Sequence, residues 1–199
     1  MVSHAQLSAF CILTNKALRK FYGRPDCCVF STGVVCEVLT HFGIHAEPLR
    51  IEAAIFPDDR KLHGGVVLGS LSNDTRRPAA APDKWKGHLV TLAQGVYLVD
   101  TTFDQVNIVG RPDLRAEPLV IDLRETKWFD PDPPYGCPWT GCLRMFDALV
   151  RFTRFPRQIG WKSAGDFQPS RRQPLVQALI ASARPIFENP IVYGFPPKE

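Results

Sequence analysis

Two stretches near the amino terminus carry apolar residues at the spacing of an α-helix. In residues 4–22 the apolar positions recur every three or four residues, and Gly23 ends the run. A second run, from Cys28 to Phe42, is apolar nearly all round and is followed by Gly43, a residue type that often terminates helices. The pattern therefore predicts two helices, and the second is expected to be central and buried.

The middle of the chain has the shorter, alternating pattern of β-strands. The clearest case is residues 87–103, which read as a hairpin with a turn around Gly95. Further strands are predicted at residues 47–56, near 66–68 and at 118–123. Together with the helices, these strands indicate an α+β fold.

The carboxy-terminal part has a less decisive pattern. The stretch "MFDALVRF" fits either a short helix or a strand. A final helix is predicted over about residues 173–188, and it is expected to bend or end near Pro185 because proline cannot donate the backbone hydrogen bond.

The composition is that of a globular domain. The 199 residues are 45% hydrophobic and 22% charged, with a formal net charge of +4. Residues 1–199 are interpreted as one domain with an insertion at about 57–83 and an unassigned extension after about 106. The mild positive charge comes without an aromatic and basic stripe, so no nucleic-acid partner is predicted. No secretory signal and no apolar run of about 18 residues is visible, so we expect a cytoplasmic protein with no membrane partner; the oligomeric state stays open.

The predicted hairpin brings two ionisable side chains near each other. A two-residue turn puts His88 opposite Thr101 and leaves Asp100 on the other face. A three-residue turn over residues 93–95 gives the glycine the left-handed position that this loop needs, and it sets His88 directly opposite Asp100. We favour the second turn. A carboxylate so placed holds one imidazole nitrogen as a donor and leaves the other to act as a base, although a structural pair is the alternative.

Two adjacent cysteines, Cys27 and Cys28, lie where the second helix is predicted to begin. A helix start lowers the pKa of a thiol through its unpaired amides and dipole, and a nearby imidazolium lowers it further. Cys28 belongs to the same stripe as the buried face of the helix, and Cys27 is rotated about 100° from it. A cysteine at a helix start, with a histidine and an aspartate on paired strands downstream, is typical of a Cys–His–Asp nucleophile.

The other four cysteines fit less reactive roles. Cys11 and Cys36 are interpreted as small apolar fillers. Cys137 and Cys142, in "CPWTGC", are fillers, a loop disulfide if the protein is exported, or half of a metal site. No second Cys or His pair accompanies them, so we predict no metal and no cofactor.

Three short motifs follow one another in the order Cys, His, Asp. Cys28 is followed fifteen residues later by "GIHA", beginning at Gly43. The stretch "GHLVTL" then places His88 at the start of a strand, and "LVDTTFDQ" places Asp100 at the close of the next strand.

These motifs resemble the transglutaminase-like branch of the papain-like cysteine enzymes. That family often has Gly-Ile-Pro-Ala fifteen residues after its cysteine, and this offset selects Cys28 rather than Cys27. The resemblance covers roughly residues 20–106, about half of the chain. The chain departs from the family pattern in two places: His45 replaces the proline, and Leu89 and Val90 stand where the family often has an aromatic residue.

The resemblance implies a papain-like core, in which a central helix carrying Cys28 packs on an antiparallel sheet carrying His88 and Asp100. It also implies a Cys–His–Asp triad that attacks a peptide, protein or amide substrate, forms a thioester and releases it by hydrolysis or transfer. The oxyanion of that reaction needs hydrogen-bond donors. Side chains considered for this or a supporting role are Gln6, Asn15, Tyr22, Thr102 and Gln105.

The alternative function is a non-catalytic domain that binds a protein or peptide on the same fold. Such a domain would use the segment at 57–83 or the proline-rich segment at 129–138. The aromatic residues around the second segment are Trp128, Phe129, Tyr135 and Trp139. All three triad residue types are present, which favours the enzyme.

Overall fold

The protein, in its computed structural model, combines helices with an antiparallel sheet in an α+β arrangement. The structure describes residues 1–23, 27–56, 66–69, 87–109, 116–124, 140–145, 148–154, 160–163 and 167–188. The helices are α1 (His4–Tyr22), α2 (Cys28–His41), the short α3 (Val106–Val109) and α4 (Pro169–Glu188). The strands are β1 (Ala46–Phe56), β2 (Val66–Leu68), β3 (His88–Ala93), β4 (Tyr97–Asp100), β5 (Leu119–Asp122), β6 (Thr140–Met145) and β7 (Ala148–Arg154).

Helix α1 begins and ends with well-formed caps. Ser3 and Gln6 form a reciprocal capping box at its start, and Gly23 adopts the left-handed conformation at its end, with φ of 74°. Helix α2 has apolar residues on all of its faces, and most of its residues are buried. The two predicted helices are therefore confirmed, α2 ending one residue earlier than expected.

Within the described residues, seven strands form one sheet in the order β5-β4-β3-β1-β7-β6, and β2 also pairs with β1. Strand β1 is central because it pairs with β3 through its first half and with β7 through its second half. Strand β2 continues along the same edge of β1 that β3 occupies. The predicted strands at 47–56, 66–68 and 118–123 are confirmed within one or two residues at each end.

Alternating side chains of the sheet bury two separate apolar clusters. One face packs against the helices and contributes Ala93, Tyr97 and Val99 to a core shared with α1, α2 and α4. The opposite face contributes Leu49, Ile51, Val90, Leu92 and Leu98 to a second core, which Phe103 and Val106 help to close. Almost every position of the central strands is buried for this reason, including their polar residues.

The hairpin turn has the predicted length but a different register. Residues Thr91, Leu92 and Ala93 pair with Val99, Leu98 and Tyr97, so the turn comprises residues 94–96 rather than 93–95. Gln94 and Gly95 both have positive φ, and the amide of Val96 donates to the carbonyl of Ala93 at 3.1 Å. The direct opposition of positions 88 and 100 is therefore wrong. The register moves by an even step, so both residues stay on one face as diagonal neighbours.

The carboxy-terminal half joins the same sheet and core. Strands β6 and β7 show that "MFDALVRF" belongs to a strand pair rather than a helix. Helix α4 confirms the helix predicted over about residues 173–188, although it begins earlier, at Pro169, and does not end at Pro185. It is packed on α1 and α2 through an apolar stripe that includes Leu175, Val176 and Leu179. Among the helices that the structure describes, none is long and apolar enough to cross a membrane.

Candidate active site

Cys28 is the first residue of α2 and is half-buried, whereas Cys27, the preceding cap residue, is buried in the core. The Cys28 sulfur lies 3.8 Å from the carbonyl oxygen of Gly87, at the point where β3 begins. A small apolar cluster of Val29, Leu89 and Trp161 packs beside it. The start of α2 therefore carries one thiol to the start of β3 and turns the other into the core.

His88 is the first residue of β3 and is only 2% exposed. It pairs with Ile51 of β1, and β2 ends beside it on the same edge, with Leu68 opposite Ala53. Gly69 follows β2 and lies close to the backbone of His88 and Ile51; its φ is 79°. A Cβ atom on Gly69 would lie 2.5 Å from the His88 backbone nitrogen, so only glycine allows this close approach.

Asp100, at the end of β4, is bound through both carboxylate oxygens. Its Oδ2 lies 2.7 Å from Nε2 of His88. Its Oδ1 accepts hydrogen bonds from the amide of Thr102 at 3.0 Å and from the Thr102 hydroxyl at 3.2 Å. The carboxylate is therefore fixed in place by the turn that follows it, and it fixes the imidazole in turn.

The pKa of His88 is set mainly by two opposing effects. Burial lowers it, because the charged ring loses its water. The charge of Asp100 and its hydrogen bond outweigh burial, and the Cys28 sulfur adds a hydrogen bond and a charge effect in the same direction. Together these groups raise the pKa of His88 to about 10, which favours an imidazolium at neutral pH.

Gln105 meets the other edge of the ring. Its side-chain nitrogen lies 3.1 Å from Nδ1 of His88. The segment from Asp100 to Gln105 therefore contacts both ring nitrogens, with a carboxylate on one side and an amide on the other.

This segment is attached to α1 and α2 behind the site. Asn15 donates to the carbonyl of Thr101 at 2.9 Å and to Oδ2 of Asp104 at 3.0 Å. Arg19 forms an ion pair with Asp104, and the hydroxyls of Ser31 and Thr101 hydrogen-bond to each other. The turn that carries the acid and the amide is thus fixed to both helices.

Of the five predicted supporting residues, three contact the site or the turn that carries it, and two do not. Thr102 and Gln105 contact the acid and the ring directly, and Asn15 fixes the turn that carries them. Gln6 is used instead in the cap of α1 and in a hydrogen bond to the Ile186 carbonyl at 2.8 Å. Tyr22 packs its ring on Phe30, with 5.0 Å between the ring centres. Neither of these contacts reaches the Cys28–His88–Asp100 cluster.

Sequence reasoning missed two features of the site. Gly69 lies inside the predicted insertion, where nothing marks it as the neighbour of His88. Trp161 lies far along the chain, packed at 4.6 Å against Phe167 and beside Cys28. The aromatic segment around residues 128–139, the remainder of the 57–83 insertion and Cys137 lie outside the described residues, as does the side chain of Cys142.

The two cysteines interpreted as fillers have unreactive surroundings. Cys11 is fully buried, and burial followed by the charges of Asp100 and Asp104 raises the pKa of its thiol well above the ordinary value. Burial raises the pKa of Cys36 to about 12. Both thiols are free and neutral at physiological pH.

No group of three or more His, Cys, Asp or Glu side chains in the described ranges is arranged to hold a metal ion. In comparisons with known proteins, no family model, curated protein or solved structure matches the chain. The resemblance to transglutaminase-like enzymes therefore stays a prediction that depends on the motifs themselves.

Proposed function

We propose that the protein is a cysteine-dependent acyl-transfer enzyme with a papain-like arrangement of Cys28, His88 and Asp100. The observation that carries the proposal is the buried contact of 2.7 Å between the His88 ring and Asp100, with the Cys28 sulfur close enough to raise the pKa of the same ring. A nucleophile, a base and a group that orients the base are the parts that such a reaction needs.

The proposed reaction begins from the pair in which the Cys28 proton is already held on His88, as a thiolate beside an imidazolium. The thiolate attacks the carbonyl carbon of an amide or ester, and the carbonyl oxygen becomes an oxyanion. His88 then gives its proton to the leaving amine or alcohol as the carbon–nitrogen or carbon–oxygen bond breaks. The thioester that remains on Cys28 is released to water or to an amine. The backbone amide of Cys28 is our candidate for one oxyanion donor.

The raised pKa of His88 fits this sequence of steps. An imidazolium beside the thiol stabilises the thiolate, and Asp100 compensates the ring's charge within the buried site. Peptide, protein or amide carbonyls are the proposed substrates. A cytoplasmic location and a papain-like core belong to the same proposal.

The experiment that tests the proposal is acylation by an activated ester, p-nitrophenyl acetate, followed by mass spectrometry of the digested protein. We expect an acetyl group on Cys28 and none on Cys36, and no acetylation after Cys28→Ala. The matched control is Cys36→Ala, which removes a half-buried thiol from the same helix and should leave the acetylation of Cys28 unchanged.

Reactivity toward iodoacetamide at neutral pH gives an independent measure. Cys28 should be alkylated faster than Cys11, Cys27 and Cys36 in the folded protein. Slow modification of all cysteines at one common rate, with no acetyl adduct, would overturn the proposal and favour the non-catalytic binding domain.

A further inference from the structure

The space around the Cys28 thiol is bounded on one side by apolar side chains. Val29 follows Cys28 on α2, and Leu89 follows His88 on β3. Together with Trp161 they form a buried apolar cluster, here called the Trp161 cluster, against which the Cys28 side chain packs. The cluster therefore contains the residues directly after the proposed nucleophile and the proposed base, together with one large ring from the carboxy-terminal part of the chain.

The Trp161 cluster is closely packed. Trp161 is 7% exposed, Val29 is 9% exposed and Leu89 is 1% exposed. Protein interiors of this kind leave few voids larger than a water molecule. A substituent of a substrate can therefore lie against the surface of the cluster, but it finds no room inside it.

The ring of Trp161 is held by a series of contacts that reach α4. It packs against Phe167 with 4.6 Å between the ring centres and 70° between the ring planes. The guanidinium of Arg172, on α4, lies 4.8 Å from the centre of the Phe167 ring and donates a hydrogen bond to the Phe167 carbonyl. Arg172 is itself buried and forms an ion pair with Glu37 of α2. The indole is therefore a fixed boundary of the site.

The proposed chemistry determines which part of a substrate faces this boundary. In the tetrahedral intermediate the reacting carbon carries the Cys28 sulfur, the oxyanion, the leaving group and the acyl substituent. The leaving group faces His88, because it receives a proton from the ring, and the oxyanion faces its hydrogen-bond donor. The acyl substituent takes the remaining direction, and the Trp161 cluster is the apolar surface that the described residues place against the thiol.

We propose that Trp161 is a specificity-determining residue that limits the bulk of the acyl group transferred to Cys28. An acyl group that is unbranched at the carbon next to its carbonyl fits beside the indole. A group branched at that carbon projects an additional methyl group toward the filled cluster, and its acylation of Cys28 is slowed. This inference rests on the proposed function, since it concerns the substrate of the same thiol.

Trp161 is the member of the cluster whose side chain can be shortened with the least disturbance of the proposed triad. It belongs to the short 3₁₀ segment Gly160–Ser163, and not to α2 or β3. Val29 and Leu89 belong to the elements that carry Cys28 and His88, so a change at either position would also move the reacting groups. The test therefore changes Trp161 alone.

The test compares the rates at which two p-nitrophenyl esters, the acetate and the trimethylacetate, acylate Cys28, measured by mass spectrometry of the digested protein. The same esters react with N-acetylcysteine, which gives the preference of an unhindered thiol. Cys28 of the wild type should favour the acetate about tenfold more strongly than N-acetylcysteine does, because an additional methyl group in a filled apolar site slows a reaction by that order.

Trp161→Ala should remove most of this additional preference, and Trp161→Phe should remove part of it. The phenylalanine variant keeps an aromatic ring against Phe167, so it gives the answer even if the alanine variant does not fold. A general loosening of the site would change both rates by the same factor, and their ratio would stay as it is in the wild type. The ratio therefore separates a role in specificity from a purely structural one.

The matched control is Phe187→Ala, which removes an aromatic ring at the carboxy-terminal end of α4. That ring packs on Phe10 and Phe42, and not on the Trp161 cluster. The control should have the same ratio of the two acylation rates as the wild type.

The outcomes separate this inference from the proposed function. If the acetate acylates Cys28 and the ratio is the same in the wild type and in both Trp161 variants, the inference about Trp161 alone fails. A wild-type ratio equal to that of N-acetylcysteine also overturns it. If neither ester acylates Cys28 of the wild type, the proposed function fails, and this inference fails with it.

Discussion

Cys28 and Cys36 belong to the same helix, are both half-buried and both lie against β3, yet their surroundings differ. The Cys28 sulfur is next to the start of the strand and the His88 ring, whereas the Cys36 sulfur lies 3.7 Å from the Thr91 hydroxyl in the middle of the strand. Burial raises the pKa of Cys36 to about 12. A hydroxyl offers a hydrogen bond but cannot take the thiol proton, and an imidazole can.

This comparison is the reason why we propose Cys28, and not Cys36, as the nucleophile. The two thiols are eight positions apart on α2, about 80° from each other around the helix axis, and both lie against β3 or the residue before it. They differ in their place on the helix, which Cys28 begins, and in the residue that β3 places beside each one. We therefore expect the reactivity of Cys28 to depend on the start of β3, where His88 contacts Asp100 and Gln105.

The largest effect is expected from His88→Gln, which removes the difference between the two thiols. Alkylation of Cys28 by iodoacetamide should fall about a hundredfold at neutral pH, toward the rate of Cys36, because the base is lost. The rate at each cysteine is measured by quantitative mass spectrometry of the peptides. An unchanged Cys28 rate in a variant with a native circular dichroism spectrum would contradict the role of His88.

Asp100→Asn should reduce the difference in reactivity between Cys28 and Cys36, because it removes the charge that holds the pKa of His88 near 10. In the unfolded chain a histidine titrates at about 6.5, so the stability gained from the raised pKa is complete below that pH and is lost as pH rises through about 10. We expect the free energy of unfolding of the wild type to decline across this window relative to the variant, by up to about 1 kcal/mol per pH unit. Urea unfolding at several pH values measures it.

The matched control for Asp100 is Asp122→Asn at the end of β5. Hydrogen bonds from Arg124 lower the pKa of the Asp122 carboxyl to about 2. Its contribution to stability is therefore present above the ordinary carboxyl range and is lost as pH falls toward 2. Asp122→Asn should leave the slope between pH 6.5 and 10 unchanged, and a flattened slope there would contradict our assignment of that slope to His88.

Gly69→Ala should disturb the start of β3 without removing the side chain of Cys28, His88 or Asp100. The added Cβ would lie 2.5 Å from the His88 nitrogen and 2.7 Å from the Ile51 carbonyl oxygen, on a backbone with positive φ. We expect a loss of about 1–3 kcal/mol of unfolding free energy together with slower alkylation of Cys28. Gly43→Ala is the control, because its φ is 70° and no atom lies within 4 Å of the new Cβ. It should cost about 1 kcal/mol and leave Cys28 unaffected.

The smallest effect is expected from Cys36→Ala, which tests whether the reactivity of Cys28 is independent of Cys36. It removes one sulfur from the contact with β3 and should lower the free energy of unfolding by about 1 kcal/mol. The rates of alkylation and acetylation at Cys28 should stay at their wild-type values. A loss of Cys28 reactivity in this variant would show that the reactivity of Cys28 depends on Cys36.

The regular elements of the fold could be predicted where one local signal dominated. Helices α1 and α2 follow from apolar spacing and glycine ends, and the strands from alternation. The turn at residues 94–96 could not be placed to the residue, because both Gln94 and Gly95 take positive φ and the sequence marks only the glycine. Helix α4 continues through Pro185 because its packing on α1 and α2 outweighs the local cost of a proline.

In the site, too, the residues marked by local sequence patterns could be predicted, and those brought in by distant contacts could not. Cys28, His88 and Asp100 could be named because each lies at the end of a predictable element. Thr102 and Gln105 follow Asp100 closely in sequence, so their presence nearby was predictable but their atomic partners were not. Gly69 and Trp161 reach the site through strand pairing and long-range packing, which no local pattern encodes.

The segment from Asp100 to Gln105 has a consequence for how this site can be altered by natural variation. The acid, the hydroxyl that orients it and the amide at the far ring nitrogen are spaced along six consecutive residues. Insertion or deletion of one codon within that stretch would misplace at least one of these groups at once, whereas the same change in an exposed loop would be tolerated. The stretch should therefore be inherited, or lost, as a unit of fixed length.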